Sequence, residues 1–358
     1  MRHLLCLLTA AVLIACSSVH EGSLHVVDAE SLERLQQVSQ VTGSVVFEGA
    51  KFSGELPDGL DLPNLELVGG DFMLRGVGTL ARVTLPQLRT VENVFEISGM
   101  AAVQTVSAPQ LSRVSGEVRI EKNPSLVTLQ LPGLANAASR LYVLGNGALE
   151  NAELTRLRTV GEELRFEDNR RLARIELSNL QTVGGPMRVL KHPVLETLTA
   201  RSLQSVAGEL RLENGSLIAG VSFDALASTG ALLVLSCNLK SLALAALKTV
   251  DGELHVQGNG ALLSLEAAAL ERVGADLRIT ANPMLSALGL GALKTVEGGL
   301  FISNNPRLPS CTARGVETQI GQKSDPKAPR VGSNSPDDDC KCPPAGCTCV
   351  STGVYTCQ

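Results

Sequence analysis

Asparagine recurs along this chain at a nearly constant interval: Asn123, Asn146, Asn169, Asn214, Asn238, Asn259, Asn282 and Asn305, with His192 filling the place between Asn169 and Asn214. A period this long and this regular constrains the fold more than any other feature. A unit of about 23 residues cannot bury its own apolar face, so copies must stack and bury it between neighbours. Ahead of the Asn positions lie apolar pairs two residues apart, among them Val118 and Ile120, Leu164 and Phe166, Leu210 and Leu212, Leu254 and Val256, Leu277 and Ile279, and Leu300 and Ile302. That alternation is the mark of a strand with one buried face. Each strand is preceded by Leu-x-x-Val, as in Leu88 to Val91, Leu157 to Val160, Leu203 to Val206 and Leu293 to Val296, and a Gly usually follows the Val. Phasing on that Val carries the array back through Phe95 and Ile97, Phe72 and Leu74, and Val45 and Phe47.

The expected fold is therefore all-β: a parallel β-helix or leucine-rich solenoid of about twelve coils with ~23-residue repeats. At roughly 4.8 Å per coil the rod is on the order of 55 Å long. Each Asn falls where the chain leaves a strand and turns. A stacked column of amides there satisfies both turn backbone and neighbouring amides, so the Asn residues read as structural. His192 reads as a replacement within the same column. Aromatic residues make up only 3% of the chain and Trp is absent, as a thin core of Leu, Val, Ala and Ile allows.

The first 15 residues hold Arg2 and then an apolar run from Leu4 to Ala15. The run is too short to span a bilayer but suits the core of a secretory signal peptide. It ends Leu13-Ile14-Ala15-Cys16, which resembles the bacterial lipobox. The resemblance implies that Cys16 is acylated and becomes the mature N-terminus. Ser17 in place of Asp then favours the outer membrane. Acyl chains contribute roughly 0.8 kcal/mol per buried CH₂, enough for stable anchoring without a transmembrane helix. A second apolar stretch, Ala225 to Val250, contains Asn238, Lys240 and Lys248 and keeps the repeat phase, so it reads as solenoid and not as a span.

The run Leu-x-x-Val-x-Gly-x-Leu-x-Ile-x-x-Asn-Pro-x-Leu, seen nearly whole from Leu270 to Leu285, resembles the receptor L-domain group of leucine-rich β-helices. The resemblance spans about residues 30 to 340 and implies a role in recognition outside the cytoplasm. It carries over no ligand-contacting residue, because none forms a motif here.

Outward middle positions of the strands hold Arg119, Arg165, Arg188, Arg211 and Arg278. Acidic residues flank them on the same face: Glu117, Glu163, Glu209 and Asp276 two residues before, Glu121, Glu167 and Glu213 two after. A basic row between acidic rows is expected to be a solvated ladder that keeps a parallel sheet soluble. Its alternative role is a polar protein-docking face. The formal charge of −5, one unit more negative without Arg2, gives no footprint for nucleic acid.

Some parallel β-helices cleave acidic polysaccharides with clustered carboxylates, and Glu253 and Asp276 are adjacent carboxylates here. The coils carry almost no inserted loops, however, and the chain has no Trp on which a sugar could stack. The mature histidines, His20, His25, His192 and His255, are too scattered for a metal cluster or a nucleophile and base pair. No catalytic, cofactor-binding or metal residue is expected, and no small-molecule substrate.

Setting aside Cys6, Cys16 and the core residue Cys237, six cysteines remain, all C-terminal: Cys311, Cys340, Cys342, Cys347, Cys349 and Cys357. An even number in an exported chain implies disulfides, with a zinc knuckle as the rival. Similarity to the closing cap of bacterial L-domain proteins pairs Cys311 with Cys340. The last four allow three connectivities. Helical periodicity from Ala29 to Val38 predicts an N-terminal capping helix, and a short cap helix is expected around Ala313 to Ile320. The expected organisation is a signal peptide over 1–15, a lipidated tether over 16–28, the solenoid with its cap helix over 29–310, a C-terminal cap over 311–340 and a Cys-rich tail over 341–358. The expected function is a non-enzymatic lipoprotein of a bacterial cell envelope that presents a rigid solenoid for protein recognition, adhesion or surface architecture. The alternatives are a polysaccharide-active enzyme and a purely structural spacer.

Overall fold

The repeat resolves into three short strands per coil, as in Thr182–Val183, Met187–Leu190 and Thr197–Thr199. A computed structural model describes residues 18–215, 220–321, 331–332, 334, 347–351 and 354–357. Over these residues the chain is a parallel β-solenoid of about 12 turns with 23-residue spacing and two short helices. The first two strands of each coil join one 25-stranded sheet, and the third strands form a second face of 8 strands followed by one of 3. Register is kept position by position: Leu164 pairs with Met187, Arg165 with Arg188, Phe166 with Val189 and Glu167 with Leu190. Like therefore stacks on like, and apolar alternation in one coil lines up with apolar alternation in the next. Among the described coils the register shifts between Val206 and Glu209.

The core is a continuous column of aliphatic side chains. In one coil Leu164, Phe166, Leu172, Ile175, Leu177, Leu180 and Val183 are all buried. Each such burial stabilises by about 1.5–3 kcal/mol. Near the N-terminal end the column is aromatic, with Phe72 and Phe95 stacked at 5.4 Å between ring centroids. Behind the four-residue strands from Phe72–Arg75 onward one residue takes the left-handed conformation, for example Lys122 (φ 54), Gly145 (φ 65), Asp168 (φ 52), Lys191 (φ 59) and Ala281 (φ 55). That residue swings the chain through the corner and points the next side chain inward.

Helix α1 (Ala29–Gln37) covers the N-terminal end. Its capping box is complete: Ser31 N donates to Asp28 Oδ1 at 2.8 Å, and Asp28 N donates to Ser31 Oγ at 3.0 Å. Such caps contribute about 1 kcal/mol. Leu35 is buried against the strand Leu24–Val26. Helix α2 (Ser310–Gln319) covers the other end and buries Ala313 and Val316.

One expectation about the ends needs correction. Residues 18–28 are not a tether: Val19–His20 pairs with Gln40–Val41, and Leu24–Val26 pairs with Val45–Phe47. The rod thus has a coil before α1, and the helix is inserted between the first two coils. Within the expected C-terminal cap, Val331–Gly332 adds a rung beside Ile302–Ser303. The strands Cys347–Ser351 and Val354–Cys357 form an antiparallel hairpin with Cys347 opposite Cys357. Cys16, Cys340 and Cys342 lie outside the described residues.

Candidate functional site

The interior corner of the rod carries the amide column. Asn282 shows the unit: its Nδ2 donates to Val256 O at 3.0 Å, Thr280 O at 3.1 Å and Asn305 Oδ1 at 3.2 Å. Its Oδ1 accepts from Asn259 N at 3.0 Å and Asn259 Nδ2 at 3.1 Å. The same pattern links Asn123 to Asn146 and Asn146 to Asn169. Each amide thus closes a turn in the preceding coil and serves the amide beside it. All six of these asparagines, Asn305 included, are buried.

Asn214 and Asn238 do not belong to the column. Asn214 is exposed and occupies the left-handed corner position (φ 53), while the buried column place falls on Gly215. Cys237 takes the column place in the next coil, and Asn238 just after it is exposed. The column therefore reads Asn169, His192, Gly215, Cys237, Asn259, an interruption three coils long. Cys237 N still donates to Asn259 Oδ1 at 2.9 Å. Burial pushes the Cys237 thiol up to about 11, which leaves it protonated and inert at neutral pH.

His192 holds its Nδ1 3.1 Å from Asn169 O, while Nε2 is buried without a hydrogen-bond partner. Burial lowers the ring's pKa from the ordinary 6.5, against the opposing pull of the Asn169 and Phe166 carbonyls. The folded protein thus keeps the ring neutral, whereas the unfolded chain protonates near 6.5. Stability from this source is full above about pH 6.5 and is lost as the pH falls below it. His192→Asn removes that dependence and restores an amide to the column. The variant is expected to unfold at higher urea at neutral pH, by about 1 kcal/mol, and to lose the decline in midpoint between pH 6.5 and 5. A decline unchanged by the substitution would mean that other groups cause it.

The outward face of the large sheet bears the charged rows. Arg188 reaches across coils to Glu163 at 2.6 Å and Glu209 at 3.0 Å. Arg119 pairs with Glu117 at 3.0 Å and Glu121 at 3.6 Å. Arg165 pairs with Glu167, Arg211 with Glu213 at 2.5 Å, and Arg278 with Asp276 and with Glu253 at 2.9 Å. Burial works against the Arg119 and Arg188 charges, yet their carboxylate partners outweigh it and hold both guanidinium groups above their usual range. Tyr142 lies in the same row; burial and its 2.8 Å hydrogen bond to Glu163 push its hydroxyl up to about 12. Around Arg188 and Arg211 the face dips into a depression of about 370 Å³. Glu253 and Asp276 do not form a free acid pair, because Arg278 holds both. The backbone N–H of Gly299 and the Arg278 guanidinium keep Asp276 below the usual carboxylate range despite its partial burial.

A further feature lies on the second face. Between Asn151–Glu153 and Arg174–Glu176 only Glu153 and Glu176 remain paired, so the ladder opens there. A depression of about 600 Å³ forms at the opening, lined by Glu150, Ala152, Arg171, Arg174 and Val194. Ala152 stands where the adjoining coils have Leu129 and Ile175, and its small side chain leaves the coil underfilled. Among the described residues no three His, Cys, Asp or Glu side chains converge as a metal site, and no helix is long and apolar enough to cross a membrane. No family model matches the chain, and no curated protein matches it.

Proposed function

We propose that this protein is a non-enzymatic lipoprotein of a bacterial cell envelope, anchored through Cys16 and displaying a rigid solenoid for protein recognition, adhesion or surface architecture. The observation that carries the anchor is the sequence Leu13-Ile14-Ala15-Cys16 at the end of a short apolar leader. The outer membrane is the favoured location, since Ser17 follows the cysteine. The run from Leu270 to Leu285 supports placing the repeats with the receptor L-domain group.

The scaffold reading rests on the continuity of the large sheet and on a surface whose charges satisfy one another. An enzyme needs a cleft in which polar groups converge with perturbed acidity. Glu253 and Asp276 instead share one arginine on an open face. A disulfide from Cys311 to Cys340 would clamp α2 over the last coil.

The anchor is tested by Cys16→Ala. The variant is expected to leave the membrane fraction or to retain its leader, because acyl chains are its attachment. Detergent partitioning with mass analysis of the N-terminal peptide reads both outcomes. A processed variant that still partitions with membranes would sink the assignment.

A further inference from the structure

On the lipid-anchor reading, from which this inference proceeds, Cys16 is the first residue of the mature chain. The fold begins almost at once. Ser39 N donates to Ser18 O at 2.9 Å, and Ser18 Oγ donates to Gln37 O at 2.6 Å. Val19–His20 is already paired in the sheet. Ser17 alone separates Cys16 from Ser18, and two extended residues reach at most about 7 Å. The acyl chains therefore attach within that distance of the first coil, with no slack for the rod to drift from the bilayer.

The first coil carries exposed apolar side chains on its rim, in the outward columns that hold Gln40 and Glu48 in the next coil. Val19 (46% exposed) and Val27 (39%) are two of the four large apolar side chains so exposed among the described residues, and both belong to the first coil. The outer face of α1 is polar, with Glu30, Glu33 and Arg34 exposed and Arg34 paired to Glu30 at 3.0 Å. With Asp28 it carries an excess of carboxylate. Such a face suits a hydrated, zwitterionic headgroup layer and is repelled by an anionic one. The other two exposed apolar side chains, Val194 and Leu263, stand singly on the sides of the rod.

We propose that Val19, Val27 and the outer face of α1 form a membrane-contact surface that rests on zwitterionic headgroups. The rod then stands on its N-terminal end, with α2 on the order of 55 Å out. The partner-facing surfaces are its sides and its distal end.

Energy transfer from the full-length acylated protein to a headgroup-linked acceptor in phosphatidylcholine vesicles tests this. The donor is attached through a non-canonical residue at Glu33 in α1 or at Thr318 in α2. Transfer from Glu33 is expected to exceed that from Thr318 at least about threefold, given the rod length. Equal transfer means that the rod lies flat and overturns the proposal. A 20-residue Gly/Ser insertion after Ser17 adds a root-mean-square reach of about 25 Å and is expected to lower the Glu33 signal. An unchanged signal would also overturn it, because the short connection would not be what holds the end down. Mass analysis of the N-terminal peptide reads acylation separately: a mature chain without acyl groups defeats the anchor reading and the end-on placement with it.

Discussion

Asn282→Leu is expected to destabilise the protein by about 4 kcal/mol, more than any single change on the surface. The side chain is buried, and the replacement has similar bulk, so the loss comes from hydrogen bonds and not from a cavity. Removing the amide leaves Val256 O and Thr280 O without this donor and takes from Asn259 N–H and Nδ2 their shared acceptor. Asn305 Oδ1 loses the Nδ2 donor and keeps only the backbone N–H of residue 282 from the preceding coil. Each orphaned group buried in a core costs about 1–3 kcal/mol. The exposed-face control is Arg165→Ala, which gives up an ion pair with Glu167 on a face in contact with water and should cost under about 1 kcal/mol. Urea midpoints measured on both variants decide. Similar midpoints would show that the column does not carry the corner.

Gly184→Ala is expected to cost about 3 kcal/mol for a different reason. A Cβ built there would stand 2.0 Å from Gly161 O and 2.9 Å from Gly161 C. Neither atom belongs to a flexible side chain, so relief requires adjacent coils to separate. That separation strains the bond from Gly184 N to Val160 O, 2.9 Å long. Gly147 is the matched control, since a Cβ there meets nothing within 4 Å. Gly147→Ala should unfold near the parent midpoint. Equal loss in the two variants would point to backbone freedom and not to the close approach.

The fold was legible because a solenoid writes its geometry into its period. The strand pairs, the Leu-x-x-Val run and the two capping helices follow from alternation and from the need to stack. The amide column was misread at two places because residue identity was followed where strand phase should have been. Counted from the strands, the inward place lies five residues after Leu210 and five after Leu232, which gives Gly215 and Cys237. Neither residue announces itself as a replacement for an amide. The first coil was missed since Val19–His20 and Leu24–Val26 pair only with strands on the far side of α1, so no complete repeat marks them. The rung at Val331–Gly332 was hidden in a polar segment with no alternation. The opening beside Ala152 was readable in principle, as a lone small residue in a row of larger ones. Whether such a gap closes or stays open depends on how the coils relax.

The amide column also has a polarity. Within each run every Nδ2 except that of Asn169 reaches the next amide toward the C-terminus, and every Oδ1 faces back, so the side-chain dipoles add along the run and strengthen one another. Its two ends are therefore unequal. A column can begin beneath any residue with a backbone N–H: Met100 donates to Asn123 Oδ1 at 3.0 Å, and Cys237 does the same for Asn259. It can finish well only where an oxygen waits beyond the last Asn. For the second run that oxygen comes from Asn334, whose Oδ1 accepts from Asn305 N at 3.2 Å and Nδ2 at 3.4 Å. For the first run the next residue is His192, which has no amide oxygen to offer. The segment after α2 is thus a terminator for a directional array, and the middle of the rod is the place where an earlier terminator is lacking.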